Sequence, residues 1–499
     1  MFKKIKEFFR VLGELKYIIP LLRYKFPDPD DNESLAHSFQ KTVKQFGDNN
    51  FIFFEDENWT YSETNNAANS LANKLIEDGV NHSDRVVLFM ENRPDFIITI
   101  LALNKIGAIG VLINTSLTGK PLIHCINSSD SKKCIVGAEL ASSLEDVLDE
   151  INLKNKSDIY WVEDGDRFIC PEWALNLKPS LDDSKNENLE ITNMVTAKDT
   201  AFYIFTSGTT GVPKAALFPN SKIIAASMNI SKGGYRISDS DCMYNCLPLY
   251  HSTGLMLGLC ACIQVGAATF IRRKFSASAF WKEAKQFNTT AFVYVGELCR
   301  YLSFQDSSEE EKDNPISSMV GNGLRPDLWD CFRNRFNVER IIEIYGASEG
   351  NALFMNLLNK DETIGMTNAR VALLEYDVAE DKLVKDTENN FIEVDEDEPG
   401  LLLVEIGPDA IYNGYTDKKA SEEKVISNVF ENGDRWFNTG DLVKTMDVGF
   451  SLGRTHYQFV DRVGDTFRWK SENVSTNEVA ETLNAFDQVN MANVFGVKV

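Results

Sequence analysis

Residues 203 to 216, YIFTSGTTGVPKAA, constrain the fold more than any other stretch: an apolar, strand-like run breaks into Thr206-Ser207-Gly208-Thr209-Thr210-Gly211 and closes on Lys214. Two glycines let the backbone turn successive N–H groups toward one anion, four hydroxyls add donors, and an ammonium neutralises charge. Such a loop suits a polyphosphate. Its spacing is not that of a P-loop NTPase, because Pro213 precedes the lysine and no Gly-Lys-Ser/Thr ending is present. Ala-Ala-Leu-Phe and Pro219 follow and read as a second short strand. The loop is therefore expected to join two strands, with its own amides supplying what a helix N-terminus supplies elsewhere.

Around the loop the pattern alternates. Strand-like runs at 85–90 (RVVLFM), 107–114 (GAIGVLIN), 132–137 (KKCIVG) and 158–162 (DIYWV) are separated by helical stretches such as NNAANSLANKLIEDG at 65–79. That alternation predicts a doubly wound α/β body, in which ligands collect at the carboxyl ends of strands. Between 363 and 445 the reading changes to short strands, turns and an acidic run near 390–400, which suits a small β-barrel-like subdomain. Those acids read as a solvated face. No internal repeat or low-complexity tract appears.

At 499 residues the chain has room for about three domains. Its net charge of −23 argues against nucleic acid as a partner, since phosphate binding needs a basic face. Nine cysteines without a CxxC pair read as reduced thiols in a core, Cys260 and Cys262 lying in an apolar run, and give no zinc pattern. Residues 1 to 26 depart from the acidic average, with seven Lys/Arg against two Glu. On a helical wheel Ile5, Phe8, Phe9, Leu12, Leu15 and Ile19 share one face, with Lys3, Lys6 and Arg10 opposite. Charges interrupt every apolar run there, so the segment reads as an interfacial helix on anionic lipid rather than a spanning helix or signal peptide. The competing reading is an ordinary amphipathic helix packed on the protein body.

Four further strings follow the loop in order: LPLYHSTG (247–254), YGASEGN (345–351), WFNTGDL (436–442) and FVDRVGDTFRWK (459–470). Together with the loop they resemble the core motifs of the adenylate-forming superfamily, which includes acyl-CoA synthetases, luciferases and the adenylation domains of peptide synthetases. VGELCRYL (295–302), GNGLRPDLW (321–329) and DRVGDTFRWKSENVSTNEV (461–479) resemble its fatty acid transport protein and very-long-chain acyl-CoA synthetase branch. The resemblance runs from about residue 35 to the end of the chain. It implies an α/β fold: an adenylation domain over 31–460, built of two doubly wound subdomains plus the small barrel-like one, after an interfacial segment at 1–30. A partial α+β C-terminal domain over 461–499 would follow.

The resemblance also implies an ATP-dependent fatty acid–CoA ligase with ATP, Mg²⁺ and coenzyme A as cofactors and a long-chain fatty acid as substrate. It would sit in the cytoplasm or peripherally on the cytoplasmic face of a membrane. Lys214 and the loop from Thr206 through Ser207, Gly208, Thr209, Thr210 and Gly211 would hold the β- and γ-phosphates. His251 would lie near the acyl carboxylate. Tyr345 would stack on adenine, with Gly346, Ala347 and Ser348 completing that contact, and Glu349 would carry the magnesium. Gly321, Asn322 and Gly323 would let the base approach, Asp441 would accept ribose hydroxyls, and Arg462 would touch ribose or phosphate. Two departures qualify the expectation. The sequence ends at Val499, before the family's C-terminal lysine, and Ser471 stands where the family has a glycine beside the pantetheine tunnel. The alternatives are a catalytically weak membrane-associated binder of fatty acid or nucleotide, and a ligase for another carboxylic acid.

Overall fold

The computed structural model describes residues 2–463 except 154–155, 166–167, 179–180, 182–184, 207–212, 347–349, 352, 379, 408–409, 411 and 413–417; beyond these it describes 467–469, 472–474 and isolated positions. The chain forms two compact units, one of residues 17–321 and 333–340, the other of 1–16, 322–332 and 341–499.

The larger unit carries two sheets. In the first, strands Leu175–Asn176, Ile159–Val162, Lys133–Gly137, Arg85–Phe89, Ile109–Leu112, Thr200–Thr206 and Lys214–Pro219 lie side by side in that order. All pairs are parallel except the last, in which Thr206 lies opposite Lys214. Val87, Ile135 and Val111 have no exposed surface, as expected for parallel strands covered on both faces. The helix Tyr61–Glu77 starts at a capping box, in which Thr60 accepts from the Glu63 amide and the Glu63 carboxylate accepts from the Thr60 amide. The second sheet places Ser318–Asn322, Ala291–Val295, Cys242–Asn245, Ala268–Ile271, Asn50–Phe54 and Glu57–Thr60 in order. The two strands expected on either side of 207–212 are present, and so are the four strands expected between 85 and 162, while 207–212 lie outside the described residues.

In the smaller unit the stretch read as barrel-like is an antiparallel sheet. Val371–Leu374, Gly400–Glu405 and Arg435–Met446 pair in sequence, while Val425–Ser427 and His456–Arg462 share the other edge of the long strand Arg435–Met446. Leu374, Leu401, Leu403 and Trp436 fill its core.

The N-terminal helix Phe2–Arg23 has two unlike faces. Val11, Glu14, Ile18 and Leu21 are buried, while Ile5, Phe8, Phe9 and Ile19 of the apolar stripe stay exposed, Phe9 at 66% and the neighbouring Leu22 at 72%. Its first turns are tied to the smaller unit: Arg10 donates to the Leu358 carbonyl and pairs with Glu7, and Glu7 also pairs with the buried Lys360.

Candidate functional site

In the larger unit, antiparallel pairing brings Thr206 and Lys214 opposite each other, on either side of 207–212. Ser207, Gly208, Thr209, Thr210 and Gly211 lie outside the described residues, as does the Thr206 side chain. His124, which sequence reasoning missed, donates from Nε2 to the Pro213 carbonyl at 3.0 Å and so fixes the chain one residue before Lys214. His251 follows strand Cys242–Asn245 on a tight turn, its amide donating to the Pro248 carbonyl at 3.1 Å. The residue is exposed, and partial desolvation moves the imidazole below its ordinary range. Gly321 has a local reason to be glycine: a Cβ there would stand 2.1 Å from the Tyr294 carbonyl oxygen.

In the smaller unit, three of the expected residues meet. Tyr345 ends the strand Arg340–Tyr345 and donates its hydroxyl to Asp441 Oδ2 at 2.6 Å. Strand register sets Arg462 opposite Asp441, with Arg462 Nε 3.3 Å from Oδ1. Asp441 is 6% exposed. Burial pushes its carboxyl above the ordinary range, and Tyr345 and Arg462 only partly offset this. Burial, together with Asp441, likewise holds the Tyr345 phenol well above its usual value. Oδ1 of Asp441 is sealed from solvent and, beyond the Arg462 ion pair, accepts no hydrogen bond among the described residues. A buried carboxylate oxygen left in that state is a ready acceptor for a hydroxyl. The Tyr345 ring meets Phe354 edge-on at 5.5 Å, so its orientation is set by packing as well as by its hydroxyl.

Glu343, two residues before Tyr345, was also missed. Its buried carboxylate accepts from the amides of Gly323 and Leu324, both at 2.9 Å, and so fixes the backbone just past Asn322, with Gly323 at φ +80°. The available signal was an acid set between Ile342 and Ile344 in an apolar, mostly buried strand. Gly346 is exposed, while Ala347, Ser348 and Glu349 lie outside the described residues. Among the described residues no cluster of His, Cys, Asp or Glu could hold a metal.

Residues 39–415 match the AMP-binding enzyme family. This chain belongs to that family. Among relatives, the medium/long-chain-fatty-acid–CoA ligase FadD6 of Mycobacterium tuberculosis is 38% identical over 471 residues, spanning 94% of this chain and 76% of that protein. Long-chain fatty acid transport protein 6 of Mus musculus is 35% identical over 503 residues, 99% of this chain and 79% of its own. Among solved structures, the anthranilate CoA ligase AuaEII in complex with anthranoyl-AMP superposes with a TM-score of 0.77 at 18% identity, covering 96% of this chain and 86% of that one. That likeness establishes the fold. Tyr345 lies within the matched residues and meets Asp441, which pairs with Arg462, in the smaller unit.

Proposed function

We propose that this chain is an AMP-forming long-chain fatty acid–CoA ligase. A fatty carboxylate attacks the α-phosphorus of ATP, releasing pyrophosphate and forming acyl-adenylate, and the coenzyme A thiolate then displaces AMP. The observation that carries the nucleotide half is the buried Asp441 carboxylate, whose Oδ2 is held by the Tyr345 hydroxyl and whose Oδ1 faces Arg462 and keeps capacity for a further hydroxyl. Relatives named for medium- and long-chain fatty acids support the acyl half.

Carboxylate is a feeble nucleophile, so the first step depends on in-line placement and on neutralising the phosphates. Lys214, with Thr206 and the loop after it, is assigned to the β- and γ-phosphates, and His251 to the carboxylate side. Tyr345 and the backbone fixed by Glu343 are assigned to the base, and Asp441 to the ribose. Glu349 is assigned to Mg²⁺ on its motif alone; the ion, when bound, neutralises phosphate charge. Pyrophosphate release measured against a panel of carboxylates tests the reading. Long-chain acids should support release, Lys214→Ala should lower it about 10²- to 10³-fold, and a preference for aryl or amino acids would overturn the substrate assignment.

We also propose peripheral association with anionic membrane through the exposed stripe Ile5, Phe8, Phe9, Ile19 and Leu22, on the cytoplasmic face. Among the described residues no helix is long and apolar enough to cross a membrane. Co-sedimentation with anionic vesicles should be lost in Phe8→Ser/Phe9→Ser, and retention by that variant would remove the membrane reading.

A further inference from the structure

We infer that Asn92 is a positioning residue for the turn that presents His251, an inference resting on the assignment of His251 to the acyl side of the reaction. Strand Arg85–Phe89 ends in Met90-Glu91-Asn92-Arg93, and the helix Pro94–Lys105 starts immediately after. Asn92, 4% exposed, reaches from there to the other sheet of the same unit. Its Nδ2 donates to the Leu247 carbonyl at 2.7 Å and to the Arg272 carbonyl at 3.1 Å, and its Oδ1 accepts from the Leu249 amide at 2.8 Å. Both amide protons and the carbonyl are engaged.

Leu247 and Leu249 flank Pro248, which has no N–H of its own and whose carbonyl receives the His251 amide. One side chain thus holds both neighbours of the residue on which the His251 turn closes. The far leg of the turn is fixed separately. Asn245 donates to the Gly254 carbonyl at 2.9 Å, the Leu255 amide donates to the His251 carbonyl at 3.0 Å, and a Cβ on Gly254 would stand 2.7 Å from the Pro248 oxygen. The base from which Asn92 reaches is itself anchored: the Glu91 amide donates to Glu139 at 2.7 Å, and Arg93 donates to the Val162 carbonyl at 3.0 Å while pairing with Asp164. The turn therefore has two supports, and Asn92 is the one that comes from the sheet carrying the phosphate loop.

Without Asn92 the near leg is released and the imidazole moves relative to a carboxylate held by other groups. A misplacement of about 1 Å in a near-attack arrangement costs on the order of 10²-fold. In Asn92→Ala the kcat for carboxylate-dependent pyrophosphate release should fall about 10- to 100-fold, with ATP affinity within about twofold of the parent. The same substitution made in a His251→Ala background should cost less than about threefold, since coupled residues are not additive. Asn92→Asp keeps the Leu249 contact and the side-chain size, and it is read the same way if alanine lowers the yield of folded protein.

A readout independent of turnover is the imidazole titration of His251 by ¹H–¹⁵N NMR, tractable because the chain has five histidines. Its midpoint should rise toward the ordinary value in the variant while the other four stay put. The inference is overturned if ATP affinity falls in step with turnover, or if the His251 titration is unchanged in both variants. If no carboxylate supports adenylation by the parent, the function assigned above fails while the His251 titration still decides the role of Asn92.

Discussion

Replacing Asp441 with asparagine separates two properties that the same carboxylate controls. Asp441 Oδ2 already holds the Tyr345 hydroxyl at 2.6 Å, so only Oδ1, with Arg462 Nε at 3.3 Å, remains to accept a sugar hydroxyl. An asparagine that keeps its oxygen toward Tyr345 turns NH₂ to that position, where Arg462 already donates and a hydroxyl no longer finds an acceptor. A hydrogen bond to a charged group contributes about 1.5–3 kcal/mol. Losing one and facing two donors together should therefore cost about 2–3 kcal/mol, or roughly 30- to 150-fold in ATP affinity. Folding should respond in the opposite direction. The carboxyl titrates above its ordinary value because burial disfavours its charge, so the folded state binds more protons than the unfolded one in the window just above the usual aspartate range. Ionised Asp441 is a net cost to the free protein there. Asp441→Asn should leave the thermal midpoint unchanged or raise it. Calorimetric titration with ATP and with 2′,3′-dideoxy-ATP completes the test. The parent should discriminate between them by the factor above, and the variant should bind both within about threefold. If the variant still rejects the dideoxy nucleotide, Asp441 is not the ribose acceptor.

Two further outcomes follow from charges outside the site. Glu7, paired with Arg10 and then Lys360, is held down to about 2; a depressed carboxyl stabilises above its unfolded value and loses that contribution as pH falls from about 4.5 toward 2. Hydrogen-exchange protection of residues 5–16, corrected for intrinsic rates, should therefore drop over that range in the parent and be flat and low in Glu7→Gln; equal profiles would show that the ion pairs do not hold the helix. Lys105 is fully buried, donates to Asn65 at 2.8 Å, and is lowered by burial to about 7. The unfolded chain then binds the extra proton between about pH 7 and 10.5, so parental stability should rise with pH across that window and Lys105→Met should remove the slope, as urea midpoints at pH 7, 8.5 and 10 would show; matching slopes would mean that the lysine is charged when folded.

Much of the architecture was written locally. The apolar runs from 85 to 162 became strands, and the Gly/Thr loop was bracketed by two strands because an apolar run stood on each side of it. The Tyr345 and Asp441 motifs are 96 residues apart, yet the strands that carry them bring their side chains together. What sequence did not show are side-chain bonds to remote backbone. Asn92 meets Leu247 across 155 residues and His124 meets Pro213 across 89; both look like ordinary polar residues until the sheets are assembled. The run TGLMLGLC after His251 reads as apolar core without saying how it is wound. It is a π-helix over Thr253–Cys260, in which Gly258 leaves room for Asn245: a Cβ there would lie 2.4 Å from the Asn245 amide nitrogen. Wider winding is common where a side chain inserts into a helix near a functional site.

The N-terminal helix shows why counting charges on a wheel is not enough. Of the six residues the wheel grouped on one face, Ile5, Phe8, Phe9 and Ile19 are exposed and Leu12 and Leu15 are half-buried, and the wheel could not reveal that Val11, Glu14, Ile18 and Leu21 form a second face, buried in the protein. The two readings of this segment, lipid-facing and body-packed, are therefore not exclusive. The cations divide in the same way. Arg10 is held by Glu7 and the Leu358 carbonyl, and Lys25 pairs with Asp28, so fewer than the seven basic residues of the sequence remain for anionic lipid. Exposed pairs near a membrane are screened over about 10 Å at 0.1 M salt, whereas burial of aromatic and aliphatic side chains is insensitive to such screening. Attachment through this helix should consequently persist at moderate salt and depend on Phe8 and Phe9 more than on Lys6. Arg10, held by Glu7 and the Leu358 carbonyl, is expected to contribute little to lipid binding.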